Sequence, residues 1–361
     1  MTALEFRQLF PALDRKLYGK PLVYFDNAAT SQRPLRVVER YKELSETGNA
    51  NIYRAVHTLS AEATRAYEQG REAARAFLNA SSREEIIFTG GCTSAINTVA
   101  YSFGEAFVGP GDILVVGEAE HHSNLVPWQQ LCSRRGAKLE ILPVDDKGHW
   151  KMEVLRRLLS EQKGRVKLVA LAHISNVLGL VNPVEEAIRL CHTASVPVLL
   201  DGAQGIVHET VDVQRLDCDF YAFSAHKLYG PTGVGVLYGK KKWLEKMPPF
   251  LCGGEMVDTV TLTKTTFAPL PHKFEAGTGN FTAVGCLPET FETALLAREK
   301  EVAEPYEAAC EYLKNALESR SDVHLYGAEG EGYRRSGVFS FTVDGAHHED
   351  LAQLLDKMGV A

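Results

Sequence analysis

Between residues 84 and 239 short apolar runs alternate with amphipathic stretches, and this rhythm restricts the possible folds more than any other feature. "EEIIFT" (84–89), "DILVV" (112–116), "KLEILPV", "VKLVALAH" (166–173), "VPVLLD" (196–201), "CDFYAFS" (218–224) and "GVGVLYG" (233–239) read as strands. Most are continuously apolar rather than alternating, so both faces of each strand are expected to be buried. "TSAINTVAYSFGEAF" (93–107), "NLVPWQQLCSRRG", "MEVLRRLLSEQ" and "VEEAIRLCHTA" read as helices between them. Strands separated by helices predict βαβ units: an α/β fold with a mostly parallel sheet and helices on both faces. After about 240 the rhythm stops. Residues 247–280 read as loop, with Pro and Gly clusters, and a segment of that length usually serves function or an interface. Helices at about 284–299 and 304–319, two short strands and a last helix, "HHEDLAQLLDKM", read as a smaller α+β domain. The expected division is 20–283 for the large domain and 284–361, with 1–19, for the small one. "MGVA" reads as the entry to a further strand.

At 361 residues and 45% hydrophobic content the chain can bury a large core. The net charge of −7, with no basic stripe, argues against a nucleic-acid partner. Lys240, Lys241 and Lys242 open a short helix and read as a solvated face. The start "MTALEFRQLF" lacks the pattern of a secretory signal, and no apolar stretch reaches membrane-spanning length. Seven scattered cysteines without a C-x-x-C pair read as reduced thiols of a cytoplasmic protein, with neither a disulfide framework nor a metal site.

Open parallel sheets bind ligands beyond the carboxyl ends of their strands. The first strand is followed by "GGCTSAIN", where two glycines and Thr93 at a helix start make an anion site. The second leads to His121 and His122, the fourth to Asn176, the fifth ends in Asp201 with Gln204 beyond it, and the sixth ends in Ser224, followed by His226 and Lys227. Each alone has an ordinary structural explanation, such as a cap or a turn. Their convergence on one edge fits pyridoxal phosphate. Lys227 supplies the amine for an imine link, and Asp201 keeps the pyridine nitrogen protonated. Thr93, Ser224 and His226 suit the phosphate, His121 suits stacking on the ring, and Gln204 or Asn176 suits the phenolic oxygen.

The stretches "DNAATSQRP" (26–34), "VHTLSAEAT" (56–64), "EHHSNLVPWQ" (120–129), "HISNVLG" (173–179), "LDGAQ" (200–204), "SAHKLYGPTG" and "FEAGTGN" (274–280) resemble the class V aminotransferase-like pyridoxal phosphate enzymes, and within them the cysteine desulfurases of the SUF iron–sulfur assembly branch. The resemblance implies the PLP-dependent transferase fold of type I and a homodimer, which the long 247–280 loop also suggests. It assigns Lys227 to the imine link, Asp201 to the pyridinium, His121 to the ring, Thr93, Ser224 and His226 to the phosphate, and Gln204 to the phenolic oxygen. Asn176 would lie near the phenolic oxygen and substrate carboxylate, and Thr278 would reach the phosphate of the other subunit. The implied reaction converts L-cysteine to L-alanine and passes the sulfur, as an enzyme persulfide, to an acceptor or scaffold protein.

The family also carries an Arg that clamps the substrate carboxylate and a Gly-x-x-Cys loop bearing the persulfide, both following a stretch like "LDKMGVA". None of the seven cysteines here matches that nucleophile, and the expectation is a C-terminally truncated, inactive chain. Cys92 stands where the family has Thr, Tyr53 where it has His, Ala55 where it has Gly, and Gly279 where it has Pro. These departures bear on substrate preference and loop geometry. The alternatives are a selenocysteine lyase or another class V enzyme, or a non-catalytic protein of the same fold.

Overall fold

The computed structural model describes residues 1–330 and 332–361. Seven strands make the central sheet: β1 (Ile86–Thr89), β2 (Ile113–Gly117), β3 (Lys138–Leu142), β4 (Val166–Ala172), β5 (Val198–Asp201), β6 (Phe220–Ser224) and β7 (Gly235–Gly239). Their spatial order is β1-β7-β6-β5-β4-β2-β3. Neighbours from β6 to β3 pair in parallel, whereas β7 runs antiparallel to both β1 and β6. The reason is local. No crossover helix separates β6 from β7, only a short turn and loop, so the chain reverses and returns beside the strand it has just left.

Buried side chains alternate between the two faces. Ile86, Phe88, Val115, Leu171, Leu200 and Phe223 point into one core, while Ile87, Leu114, Val116, Ala170, Leu199 and Ala222 point into the other. Helices cover both. In chain order the longer ones are α1 (Leu35–Thr47), α2 (Thr58–Phe77), α3 (Cys92–Phe107), α4 (Val126–Arg135), α5 (Met152–Glu161), α6 (Val184–Thr193), α7 (Leu287–Ala297), α8 (Lys300–Glu318) and α9 (His348–Lys357). Leu155, Ile188, Ala74 and Phe291 bring α5, α6, α2 and α7 onto the first face. Val99, Phe103, Trp128 and Leu131 bring α3 and α4 onto the second. Strand β3 departs from the continuously buried pattern: only Leu142 is fully buried, because β3 is an edge strand with β2 as its one neighbour.

Residues 247–280 are less irregular than their composition suggests. Val257–Val260 (β8) and Thr265–Phe267 (β9) form a hairpin, and its side chains are largely exposed. Thr and Val supply strand propensity there, while the surrounding Gly and Pro hide the signal. Helix α8 begins earlier than expected and carries Pro305 inside it. Val323–Tyr326 (β10) and Ser340–Val343 (β11) pair as a separate two-stranded sheet. The expected strand entry at "MGVA" is a single parallel bridge from Val360 to Val23. No helix among the described residues is long and apolar enough to cross a membrane.

Candidate active site

Six strands point the same way, and contacts bring together the loops after the carboxyl ends of β1, β2, β5 and β6. The cradle lies after β1. Gly91 is the residue before α3 and has φ +151°, a conformation that favours glycine. A Cβ on Gly91 would also lie 3.3 Å from Ser224 Oγ, and one on Gly235 of β7 would lie 2.5 Å from the Gly91 backbone. The backbone therefore packs too tightly for side chains, leaving the first turn of α3 open. Cys92 N donates to Ser224 Oγ at 2.7 Å, so the hydroxyl proton of Ser224 is free for another acceptor. A cavity of about 590 Å³ opens here, lined by Gly91, Thr93, Ser94, Ser224, His226 and Thr232 among others. The N–H groups of Thr93 and Ser94 at the helix start, unpaired among the described residues, with four hydroxyls and a histidine make it an anion site.

Next to the cradle is a buried carboxylate, Asp201, 5% exposed at the end of β5. Its Oδ1 accepts from Ala203 N at 2.9 Å and lies 3.3 Å from the Cys92 thiol. Its Oδ2 has no partner among the described residues. That oxygen is not among the buried atoms left without a partner, so it faces open space where a ligand's donor can reach it. A protonated pyridine nitrogen is such a donor, so the residues present fit pyridoxal phosphate. Lys227, half-buried in the turn after β6, has no hydrogen bond or ion pair among the described residues.

The N-terminal segment packs over this turn. Ser31 N and Oγ donate to His226 O, and Ser31 Oγ accepts from Tyr229 N at 2.7 Å. His226 Nδ1 lies 3.1 Å from Thr30 Oγ1, which leaves Nε2 available to an anion. Burial, with Lys227 and Arg33 nearby, holds the His226 pKa below its ordinary value. Gln204 is buried and its amide donates to Ala28 O at 2.8 Å. The role of "DNAATS" as the cover of the lysine turn is invisible in sequence, since the partners lie up to 198 residues away.

His121 stands in the loop after β2. Its Nδ1 accepts from Ser123 N at 3.1 Å, and Ser123 Oγ lies 2.6 Å from Thr93 Oγ1. Burial lowers the His121 pKa, Asp201 raises it, and Lys227 and His122 lower it further. The loop is anchored by Glu120, whose carboxylate accepts from Asn124 Nδ2 at 2.6 Å and Ala172 N at 2.9 Å. Burial pushes the Glu120 carboxyl up to about 8. Neither Ser123 nor Glu120 stood out in the sequence, although both flank the histidine pair in "EHHSN".

Asn176 lies half-buried in the turn after β4. Thr93, Ser224 and His226 line the cradle, whereas Thr278 is exposed, with Oγ1 3.4 Å from Asn51 Oδ1. Tyr53 adopts φ +66° and its hydroxyl meets Glu68 at 2.6 Å. Cys92 is buried in the cradle wall, and burial beside Asp201 pushes its thiol pKa well up, which makes it a poor nucleophile.

The sequence profile of the family described as "Aminotransferase class-V" matches residues 23–361. The chain is 44% identical over 368 residues to a probable cysteine desulfurase of Halalkalibacterium halodurans, covering 100% of this chain and 87% of the relative. It is 45% identical over 358 residues to a cysteine desulfurase of an Enterobacter species, covering 99% and 86% respectively. Among solved structures it is similar to the Escherichia coli cysteine desulfurase CsdA in its S-sulfonic acid form, with a TM-score of 0.87, 38% identity and coverage of 100% of this chain and 87% of that one.

Proposed function

The chain belongs to the class V aminotransferase family as a pyridoxal phosphate-dependent cysteine desulfurase, and from that premise we propose that it takes L-cysteine to L-alanine and passes the sulfur, as a persulfide, to an acceptor protein for iron–sulfur cluster assembly, in the manner of the SUF branch. The observation that carries the site assignment is the presence at one sheet edge of an amine, Lys227, and a buried aspartate, Asp201, whose Oδ2 lacks a donor, neither group partnered among the described residues, beside an open anion cradle.

Bound pyridoxal phosphate supplies an electron sink for chemistry at the carbon bearing the substrate amine. Asp201 Oδ2 would hold the ring nitrogen's proton. Lys227 would carry the covalent attachment and move protons at the substrate carbon. His121 would lie over the ring, with its proton on Nε2 because Nδ1 accepts the Ser123 N–H. Thr93, Ser224 and His226 would hold the phosphate. Gln204 would reach the phenolic oxygen, and Asn176 both that oxygen and the substrate carboxylate. Thr278 would serve the phosphate site of a partner subunit in a homodimer. That reading is supported by its exposure and by the apolar side chains of Val56, Leu251 and Leu262 at the surface. Five cysteines, Cys92, Cys132, Cys191, Cys218 and Cys286, are buried with thiols pushed up by burial, so none of them suits the sulfur-accepting role. Scattered free thiols support a cytoplasmic location. A division near residue 283 is supported by the separate β10–β11 sheet and by the packing of Ala3–Gln8 on α8.

The test is to load the chain with pyridoxal phosphate, trap the attachment with borohydride and map it, then supply L-cysteine with dithiothreitol as sulfur acceptor. Against the expectation of an inactive chain, the similarity to cysteine desulfurases over the whole chain makes label on Lys227 and release of alanine the expected outcome. A label elsewhere would overturn the lysine assignment. Correct label with no alanine would reduce the reading to a cofactor-binding member of the family.

A further inference from the structure

Ser123 has no part in the chemistry above, yet it stands between two residues that do. Its Oγ lies 2.6 Å from Thr93 Oγ1 and 3.0 Å from His121 Nδ1, while its own N–H donates to that same Nδ1 at 3.1 Å. We propose that Ser123 is a positioning residue that couples occupation of the phosphate cradle to the proton affinity of His121. The proposal rests on the reading of Thr93 as a phosphate ligand.

The argument is a count of protons. Each hydroxyl has one to give. With no anion in the cradle, the chain can run from Thr93 to Ser123 to His121 Nδ1. A phosphate oxygen is acceptor-only toward Thr93 and takes its proton as a hydrogen bond. Thr93 Oγ1 can then only accept from Ser123, so Ser123 turns its proton away from the histidine. His121 Nδ1 keeps the backbone N–H alone. A donor to Nδ1 favours the neutral ring, so its loss raises the affinity of His121 for a proton. The other charged or titratable groups acting on this ring are Asp201, which favours the imidazolium, and Lys227 and His122, which oppose it. None of them belongs to the hydroxyl chain, and all persist when Ser123 is changed. Direct attraction from the anion also raises the histidine's pKa, but that part is independent of the Ser123 hydroxyl.

The experiment uses the 361-residue chain without cofactor, inorganic phosphate as the probe, and carbon NMR of labelled histidine. The His121 signal is the one missing from a His121→Gln variant, and phosphate binding is followed independently by its phosphorus resonance. Phosphate should raise the His121 pKa by about 0.5 more in the unsubstituted protein than in Ser123→Ala. Ser123→Thr, which keeps the hydroxyl, should restore the difference. Ser123→Cys, close in size but a weak donor, should behave like Ser123→Ala and guards against a disturbed turn. Equal shifts in the unsubstituted protein and both hydroxyl-free variants, with phosphate bound, would overturn the coupling and leave the cradle assignment standing. Phosphate binding that Thr93→Ala does not weaken would overturn the cradle role of Thr93, and the coupling with it.

Discussion

Two buried aspartates one strand apart show opposite uses of the same side chain. Asp219, 1% exposed just before β6, is saturated: it accepts from His192 Nε2 at 2.8 Å, Trp243 Nε1 at 2.7 Å and Val198 N at 3.0 Å, with Lys240 and Lys242 within ion-pair distance. Asp201, at the carboxyl end of β5, is satisfied on one oxygen only. A fully bonded buried charge holds structure together, whereas one left half-bonded is waiting for a ligand. The sheet thus has a closed edge and an open one. The lysine run 240–242, which reads from sequence as a solvated face, is exposed at Lys241 and Lys242 and also lends its amines to the closed edge: Lys240 pairs with Asp217, Lys241 with Glu84 and Lys242 with Asp219.

The contrast can be broken most sharply at the open edge. Lys227→Ala should abolish turnover and the borohydride-trapped label while leaving the melting temperature of the cofactor-free chain nearly unchanged. Asp201→Ala should lower turnover by about 100-fold or more and weaken cofactor retention, again with little effect on the cofactor-free chain; a large loss of cofactor-free stability would mean that Asp201 is structural after all. Asp219→Ala should do the reverse, costing about 3–5 kcal/mol in denaturant unfolding with turnover per folded molecule preserved.

Acid sharpens the same comparison. Burial alone would raise the Asp219 carboxyl, but His192, Lys240, Trp243 and the Val198 N–H outweigh it and hold it at about 2 against an ordinary 3.8. Its contribution to stability is therefore present above 3.8 and lost as pH falls toward 2. Unfolding measured between those pH values should show a slope that Asp219→Asn flattens. Glu120 works in the opposite sense. Its folded-state value of about 8 lies above the ordinary 4.5, so the stability it contributes is complete below 4.5 and declines as pH rises through 8. Glu120→Gln should remove that decline, worth about 5 kcal/mol at most. The smallest expected effect is at the cradle, where Ser224→Ala should weaken pyridoxal phosphate binding by about 10-fold, read by equilibrium dialysis.

The open edge was largely legible because its elements obey local rules. Buried strands need continuous apolar runs, and ligand groups follow their carboxyl ends, so Asp201, Ser224 and Lys227 announce themselves by position. What stayed hidden depends on contacts far apart in the chain. The antiparallel course of β7 follows from a missing crossover. The β8–β9 hairpin is exposed, so burial leaves no pattern in it. The cover of the lysine turn by Thr30 and Ser31, and the placing of Ser123 against Thr93, need the sheet to be assembled first.

The position of β7 has a consequence for how the protein is made. It inserts between β1 and β6, so residues 86–89 find their partner only when residues 235–238 arrive. The two sides of the cradle, Cys92 and Ser224, are 132 residues apart and meet across that insertion. During synthesis the growing chain can form the earlier βαβ units one after another, but it gains the ability to hold a phosphate abruptly, once β7 has left the ribosome. Chains arrested before residue 235 should be unable to retain the cofactor however well their parallel strands have formed, which makes cofactor capture a late checkpoint on completed folding rather than an aid to its early stages.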